Sequence, residues 1–150
     1  MADIIDKASR SAVMSKIRGK DTKIEIVIRQ ALHRAGYRFR LHDRRLPGCP
    51  DIVLKRFRAV IFVHGCFWHG HTCRLFRWPR TREHFWRQKI QGNRDRDKKT
   101  LGEYAHTDWR VATVWECAFR GANIRELERV TKRLDAWLGG TRRSLDIRGK

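Results

Sequence analysis

The chain has 150 residues, of which 41% are hydrophobic, and this length suits one globular domain that buries most of the surface its unfolded form exposes. Lysine and arginine total 35 against 16 acidic residues, so the formal net charge is +19 at pH 7. This charge argues against an enzyme for neutral substrates and favours a polyanionic partner, although a ribosomal or packaging protein would also be strongly basic.

Membrane association is not expected from the sequence. No apolar segment approaches the roughly 20 residues that a membrane-spanning helix needs, and the N-terminal segment MADIIDKASR lacks the apolar core of a signal peptide. We therefore expect a cytoplasmic protein. In that compartment, cysteines close to histidines indicate metal ligation rather than disulfide bonds.

The sequence predicts a helix that begins after Thr22. Thr22 and Glu25 have the spacing of a capping box, and apolar residues follow at helical spacing until Gly36. On the residues alone, Glu25 is most simply the reciprocal member of that box. Residues 1–20 are basic, and we expect either a short helix or an arm that orders on binding, followed by one domain over residues 21–150.

Strands and helices alternate along the rest of the chain. The β-rich segments that we interpret as strands are 37–41, 51–54, 59–63 and 109–116. The helical segments are about 82–106, which is basic, and about 123–138, which is closed by a glycine. The first three strands are expected to form a meander. The resulting order, α-β-β-β-α-β-α, predicts a single-domain α/β protein with a mixed central β-sheet flanked by helices.

Cysteine and histidine are concentrated in the segment HGCFWHGHTC, residues 64–73. The candidate metal ligands are Cys66, His71, Cys73 and the more distant Cys117. The spacing C-x4-H-x-C is not a common zinc-finger pattern, and ordinary buried thiols are the alternative. Because thiols next to histidines favour ligation, we predict a tetrahedral Cys3His zinc site that fixes the loop. Such a closed site does no chemistry, so it does not explain His64 or His69.

A second set of polar residues suggests phosphodiester hydrolysis. Asp51 follows Pro50 at the start of a predicted strand, and the next strand returns to place His64 at its far end. Hydrolysis needs a hard cation on carboxylate and carbonyl oxygens, together with a base that titrates near neutrality. Asp51 fits the first role, and His64 or His69 fits the second. An aspartate at such a junction is also a common turn residue, and the histidines could be spare zinc ligands, so both interpretations stay open.

Aromatic residues accompany these polar groups. Phe67, Trp68 and Trp86 could stack on bases or insert between base pairs, whereas packing in the core or over the zinc is the alternative. Phe85 and Trp86 are adjacent on a predicted helix and must point in different directions. We therefore expect one of these two rings to face solvent.

Four segments, taken together and in order, resemble the very-short-patch repair (Vsr) mismatch endonucleases. They are LPGCPD (46–51), AVIFVHGCFWHGHTC (59–73), PRTREHFWRQKIQGNRDRD (79–97) and WRVATVWECAFRG (109–121). The resemblance extends from the N-terminus to about residue 121, and the combination of HGCFWH with WEC is highly specific. It implies a restriction-endonuclease-like fold with a structural zinc site.

The resemblance also implies an activity. Members of this family are magnesium-dependent, strand-specific endonucleases that nick double-stranded DNA 5′ to the thymine of T:G mismatches left by deamination of 5-methylcytosine. A polymerase and a ligase then complete the repair. The resemblance further implies a bacterial protein that works as a monomer at the nucleoid. The alternatives are a non-catalytic zinc-containing DNA-binding module and a restriction-type nuclease that cuts both strands.

Roles follow residue by residue from the same resemblance. Asp51 matches the metal-binding aspartate, His69 matches the catalytic histidine, and His64 and Glu25 match residues that contact water on the magnesium cluster. The matched zinc ligands are Cys66, His71, Cys73 and Cys117. The residues matched to DNA contacts are Phe67, Trp68 and Trp86, which insert beside the mismatch; Lys89 and Asn93, which read the T:G pair; and Met14 of the DNA-binding arm, 1–20, in the minor groove.

Two positions depart from the family pattern. Val63 stands where the family often has threonine, and Gly70 interrupts what is often a longer run of histidines. The contact to magnesium at position 63 is expected through the backbone carbonyl, which valine preserves. We therefore expect activity to survive both departures.

Overall fold

Helix α1 (Lys23–Arg34) is the first element of the computed structural model, which describes residues 22–119 and 124–149. As predicted, Thr22 is its N-cap, with a side-chain oxygen that accepts a hydrogen bond from the Glu25 N–H at 3.4 Å. The helix ends before Gly36, whose φ of +98° suits a residue without a side chain. The N-terminal arm, 1–20, and Met14 within it lie outside the described residues.

The remaining elements match the predicted order closely. The strands are β1 (Arg40–Leu41), β2 (Ile52–Leu54), β3 (Ala59–His64), β4 (Arg110–Trp115) and β5 (Ser144–Ile147). The other helices are α2 (Glu83–Tyr104) and α3 (Ile124–Leu138), and short 3-10 turns occupy Lys55–Phe57 and Glu116–Ala118. None of the helices in the described parts of the chain is long and apolar enough to cross a membrane.

The strands form one sheet in the order β1-β2-β3-β4-β5. Strands β1, β2 and β3 pair antiparallel as the predicted meander, whereas β3, β4 and β5 pair parallel, with helices as the crossovers between them. The predicted mixed sheet in a single α/β domain is therefore confirmed. Because β3 and β4 are parallel and in register, with His64 opposite Trp115, the loops that follow both strands leave the sheet side by side.

Alternation along β3 divides the core into two layers. Ala59, Ile61 and Val63 face α1 and α3 on one side of the sheet, and Val60 and Phe62 pack with Tyr104 of α2 on the other. Burying a large apolar side chain stabilises the fold by about 1.5–3 kcal/mol. Coverage of both faces explains why β3 and β4 are continuous apolar runs.

Two features of the sheet differ from the sequence-based expectation. The strand predicted over 37–41 is only two residues long, because the Tyr37 N–H donates a hydrogen bond to the Leu32 carbonyl of α1 instead of pairing with a strand. The Tyr37 ring packs edge-on against Phe57, and its hydroxyl donates a hydrogen bond to Asp135 of α3. Strand β5 was not predicted at all. Its four residues are too few to give a period-two pattern that stands out from the polar C-terminal segment.

The prediction that one of two adjacent aromatic rings on α2 faces solvent is confirmed. Phe85 is 41% exposed, whereas Trp86 is half-buried. Helix α2 carries most of its charged residues outward and buries Ile90 and Tyr104. Its inner face therefore borders the ends of β3 and β4, where the polar residues of the loop 64–73 collect.

Candidate active site and metal centre

A cleft of about 1000 Å³ opens beside the C-terminal end of β3, between the start of α1 and the middle of α2. Two clusters of potential metal ligands or proton-transfer groups lie in it, one formed by Glu25, His42 and Asp51 and the other by His64, His69 and Asp97. Strand β2 runs antiparallel to β3, so the residue before β2 reaches the end of β3. That connection places Asp51 and His64 in the same cleft.

The carboxylate of Asp51 is held by the neighbouring strand. Its Oδ2 accepts a hydrogen bond of 2.7 Å from the Val63 N–H. Burial, followed by the nearby charge of Glu25, raises the pKa of Asp51 to about 7, and the Val63 N–H opposes that rise. Two carboxylates close together with little solvent provide the environment in which a cation binds, because a positive charge relieves both causes of the raised pKa.

Glu25 does not serve only as part of the predicted helix cap. It lies in the first turn of α1 with its carboxylate buried against the cleft, where its Oε2 is 3.4 Å from His42 Nε2. The other nitrogen of that imidazole, Nδ1, is 3.9 Å from Asp51 Oδ1. Sequence reasoning missed His42 because the residue carries no motif. Its position opposite Asp51 follows only from the pairing of β1 with β2.

The second cluster contains a stacked pair of histidines. The rings of His64 and His69 are 3.7 Å apart between centroids with planes 5° apart. His69 Nδ1 lies 2.5 Å from Asp97 Oδ2, a hydrogen bond that the sequence did not predict. When the Nδ1–H of His69 donates this hydrogen bond, the ring can keep a lone pair on Nε2, which is the tautomer required of a general base.

His64 is in a different state from an exposed histidine. Burial, followed by the charge of His69, lowers the pKa of His64 to about 3, so the ring is neutral at physiological pH. Its buried Nδ1 has no hydrogen-bond partner among the residues that the structure describes. A neutral imidazole with an unused nitrogen can accept a hydrogen bond from a bound water or donate one to it.

The four residues predicted as zinc ligands meet at one point. They are Cys66, His71, Cys73 and Cys117, and one donor atom from each lies within 4.8 Å of all the others. Parallel pairing explains half of this arrangement, since Cys66 and Cys117 each lie two residues beyond the paired residues His64 and Trp115. His71 Nδ1 is 3.6 Å from Cys117 Sγ, and all four cysteines of the chain are free thiols.

The chemistry of this cluster fits a structural metal ion. Burial raises the pKa of the Cys66 thiol above its usual range, so a thiolate there requires a nearby cation. The buried Nε2 of His71 has no partner among the described residues. The Gly149 N–H, just after β5, donates a hydrogen bond of 3.2 Å to Cys117 Sγ, as commonly found around metal-bound sulfur.

Three aromatic side chains predicted to contact DNA form one cluster. The ring centroids of Phe67 and Trp68 are 5.3 Å apart, and Trp86 lies 5.3 Å and 5.6 Å from them. All three are half-buried, so each combines core contacts with an accessible surface. Their cluster borders the cleft, whose lining includes Phe67 and Trp68.

Helix α2 fixes the loop that carries these rings. Asn93 Nδ2 donates a hydrogen bond of 2.7 Å to the Trp68 carbonyl, and Arg94 Nε donates to the Gly70 carbonyl at 3.1 Å. Gly70 has a φ of +58°, and a Cβ there would lie 2.5 Å from Arg94 Nε and from Ile90 Cγ2. The glycine that interrupts the histidine run is therefore suited to this close approach. Lys89, one turn before Asn93, is half-buried on α2.

Comparison with known proteins agrees with the resemblance. Residues 2–75 match the model of the DNA mismatch endonuclease Vsr family. The chain is 46% identical over 147 residues to the DNA mismatch endonuclease Vsr of Escherichia coli (strain K12), which covers 98% of this chain and 94% of that protein. The chain belongs to the Vsr family. It is a DNA endonuclease with the restriction-endonuclease-like fold that the family resemblance implied.

Two further relatives of this chain are named as nicking enzymes. The chain is 48% identical over 117 residues to the type II nicking enzyme V.XorIIP of Xanthomonas oryzae pv. oryzae, covering 78% of this chain and 86% of that enzyme. It is 42% identical over 124 residues to the type II nicking enzyme V.NmeAIP of Neisseria meningitidis, covering 83% and 89%. The predicted Vsr membership is thus confirmed over nearly the whole chain.

Proposed function

We propose that this protein nicks double-stranded DNA 5′ to the thymine of T:G mismatches that arise from deamination of 5-methylcytosine, and so starts very-short-patch repair. One observation carries the proposal. In this Vsr family member, a single cleft contains the carboxylate pair of Glu25 and Asp51, a histidine held by a carboxylate, and accessible aromatic rings. The names of the relatives support both mismatch recognition and nicking, since one relative is a mismatch endonuclease and another is a nicking enzyme.

Asp51 and the Val63 carbonyl are assigned to hold Mg²⁺. The N–H and C=O of one strand residue point towards the same edge, and the Val63 N–H already faces Asp51. Strand β2 begins at Ile52, which pairs with Ile61, so β2 does not extend far enough to pair with the Val63 carbonyl. The valine side chain does not alter this backbone ligand. When bound, the ion would stabilise charge on the phosphate and on the leaving 3′ oxygen.

The chain's own side chains would handle water and its proton. His69, oriented by Asp97, takes the proton from the attacking water through Nε2. Glu25 and the neutral His64 hold hydrogen-bonded water near Asp51, since both line the same cleft. Asp97 is a positioning residue in this scheme, because it acts through His69.

The Cys3His cluster is assigned to a structural Zn²⁺. Three of its ligands lie on the loop that also bears Phe67, Trp68 and His69, so a bound ion would fix the position of both the base and the aromatic rings. Its role is local, because the two layers of the core elsewhere in the sheet are apolar and do not involve the four ligands, Cys66, His71, Cys73 and Cys117.

Recognition of the mismatch is assigned to the aromatic cluster and to α2. Phe67, Trp68 and Trp86 insert beside the T:G pair, which unstacks at lower cost than a Watson–Crick pair. Lys89 and Asn93 read the pair from the same helix. Met14, in the DNA-binding arm 1–20, approaches from the minor groove, and residues 21–150 form the endonuclease domain.

The protein is expected to act as a monomer on DNA in the bacterial cytoplasm, at the nucleoid, and a polymerase and a ligase would complete the repair. The test uses the full chain with Mg²⁺ and duplexes that carry T:G or T:A at one position, with each strand labelled separately. A single nick 5′ to the thymine of the T:G duplex is expected. Cuts in both strands would indicate a restriction-type nuclease, and binding without cleavage would indicate a non-catalytic module.

A further inference from the structure

His42 lies directly opposite Asp51 across the first two strands. The pairing of Leu41 with Ile52 places these two residues at the next register position, and the His42 N–H donates a hydrogen bond of 3.3 Å to the Asp51 carbonyl. Residues opposite each other in an antiparallel pair direct their side chains to the same face. The register therefore brings an imidazole to the carboxylate assigned to the catalytic metal.

The backbone at His42 is unusual for a residue with a side chain. Its φ is +49°, in the left-handed region where a Cβ is sterically disfavoured and which glycine adopts most readily. A histidine in this conformation carries a conformational cost that its side-chain contacts must offset. The contacts of the His42 side chain with the carboxylates of Glu25 and Asp51 help to offset this cost.

The distances around His42 suit one small ion. One donor atom from each of the three residues lies within 4.8 Å of the others. The two imidazole nitrogens face one carboxylate each, at 3.4 Å from Glu25 Oε2 and 3.9 Å from Asp51 Oδ1, so the ring can bind a shared ion through one of them. Donors of one ion with bonds of about 2.1 Å lie roughly 3–4 Å apart, so small side-chain rotations complete the site. The three side chains are 8–18% exposed, which leaves an open position for a phosphate or water.

The mixture of ligands indicates which ions the site prefers. Mg²⁺ is held by oxygen ligands and keeps several waters, whereas imidazole nitrogen favours divalent first-row transition ions. We propose that His42 is a direct nitrogen ligand beside Asp51, while Glu25 holds a water on the same ion, so that this site binds transition ions such as Mn²⁺ more tightly than Mg²⁺. The inference rests on the proposed function, which places the catalytic metal at Asp51, and it adds a ligand that the Vsr resemblance did not supply.

The test measures ligation rather than activity. Mn²⁺ is added to the full-length, zinc-loaded protein, and pulsed electron paramagnetic resonance detects magnetic coupling to the ¹⁴N of a directly bound imidazole. The variant is His42→Asn, because asparagine tolerates the left-handed backbone and supplies no imidazole. His106→Gln is the matched control, since His106 is exposed on the surface away from the cleft.

Wild type and His106→Gln are expected to show ¹⁴N coupling, and His42→Asn is expected to lose it. Calorimetric titration should show Mn²⁺ affinity falling about 10- to 100-fold in His42→Asn, with a smaller loss for Mg²⁺. The inference would be overturned if wild type showed no ¹⁴N coupling or if the coupling persisted in His42→Asn. It would also be overturned if His42→Asn lost the same fraction of its affinity for Mn²⁺ and for Mg²⁺. The same coupling and affinity measurements are made on His42→Gln. Zinc content and a thermal melt check that each variant is folded.

The outcome is separable from that of the proposed function. If wild type nicks the T:G duplex but its bound Mn²⁺ shows no nitrogen coupling, His42 is not a ligand and the proposed function stands. If coupling is present and lost in His42→Asn but no duplex is nicked with either ion, the ligand assignment stands and the proposed function fails.

Discussion

The indole ring of Trp115 lies flat against the imidazole of His71, with 4.0 Å between the ring centroids and 11° between the planes. The same indole meets His64 and His69 nearly at right angles, at 5.2 Å and 6.1 Å. Its Nε1 donates a hydrogen bond of 2.7 Å to Asp146 of β5. One side chain thus touches both a candidate zinc ligand and the stacked histidines, so the two sites are in physical contact.

Replacing Trp115 should therefore impair catalysis without emptying the zinc site. Trp115→Leu removes the indole ring that contacts His64 and His69 nearly at right angles, and we expect kcat for nicking to fall about 100-fold, the effect of misplacing a catalytic group by about 1 Å. KM for DNA and the zinc content should change little. Trp115→Phe keeps a flat ring and should recover part of the loss; equal kcat in all three proteins would show that the ring contact has no positioning role.

Loss of the structural metal should be specific to the four clustered residues. Cys73→Ser is expected to abolish bound zinc, lower the melting temperature and reduce nicking, because a serine hydroxyl is a poor zinc ligand. Cys49→Ser is the matched control, since Cys49 is a half-buried thiol outside the cluster. Elemental analysis should find one zinc per chain in wild type and Cys49→Ser. Zinc retained in Cys73→Ser would contradict the ligand assignment.

The hydrogen bond between Asp97 and His69 predicts a second positioning effect. Asp97→Asn can leave His69 in the wrong tautomer, so kcat should fall by about 10²- to 10⁴-fold, the usual contribution of general base catalysis, with little change in KM. Asp97→Glu should restore part of the rate. Asp95→Asn is the control on the same helix, because Asp95 is exposed and accepts its hydrogen bond from Gln91. A similar loss in Asp95→Asn would point to general damage of α2.

The raised pKa of Asp51 predicts how stability depends on pH in magnesium-free protein. The folded state holds a proton up to about pH 7, whereas an unfolded aspartate releases it near its usual value of 3.8. Stability therefore falls as the pH rises through that window and is lowest above it. Asp51→Asn keeps an oxygen for the Val63 N–H and removes the charge.

Thermal melts check this sign. Asp51→Asn should be more stable than wild type by roughly 2–4 kcal/mol at pH 8, with little difference at pH 4, and it should bind DNA but not nick it. The exposed Asp108 supplies the control, and Asp108→Asn should show no such pH-dependent gain. A stability difference that is the same at both pH values would mean that Asp51 is not the titrating group.

Residue type and spacing predicted most of the fold and singled out the Cys3His cluster, Asp51 and the histidines, whereas the roles of Glu25, Lys89 and Asn93 came only from the family resemblance and stay predictions. The features that sequence reasoning missed have a common physical cause. Apolar runs and capping residues are local signals, so α1, β3, β4 and the meander could be predicted. His42 and Asp97 became visible only through strand register and the rotation of α2, which are tertiary properties. Glu25 shows the same limit, because its spacing from Thr22 predicts a cap whereas its carboxylate lies in the cleft.

The aromatic cluster predicts where discrimination between duplexes arises. Trp68→Ala removes the ring that contacts both Phe67 and Trp86, so the rate of nicking at T:G relative to T:A should fall by about 10- to 100-fold, corresponding to the roughly 1–3 kcal/mol of stacking lost per ring. Zinc content should be unchanged. Trp109→Ala is the control, because Trp109 packs near Arg58 just before the start of β4, whereas the cleft lies beside the other end of that strand. Its T:G to T:A ratio should match that of wild type even if the protein is less stable, and an equal fall in both variants would count against insertion by Trp68.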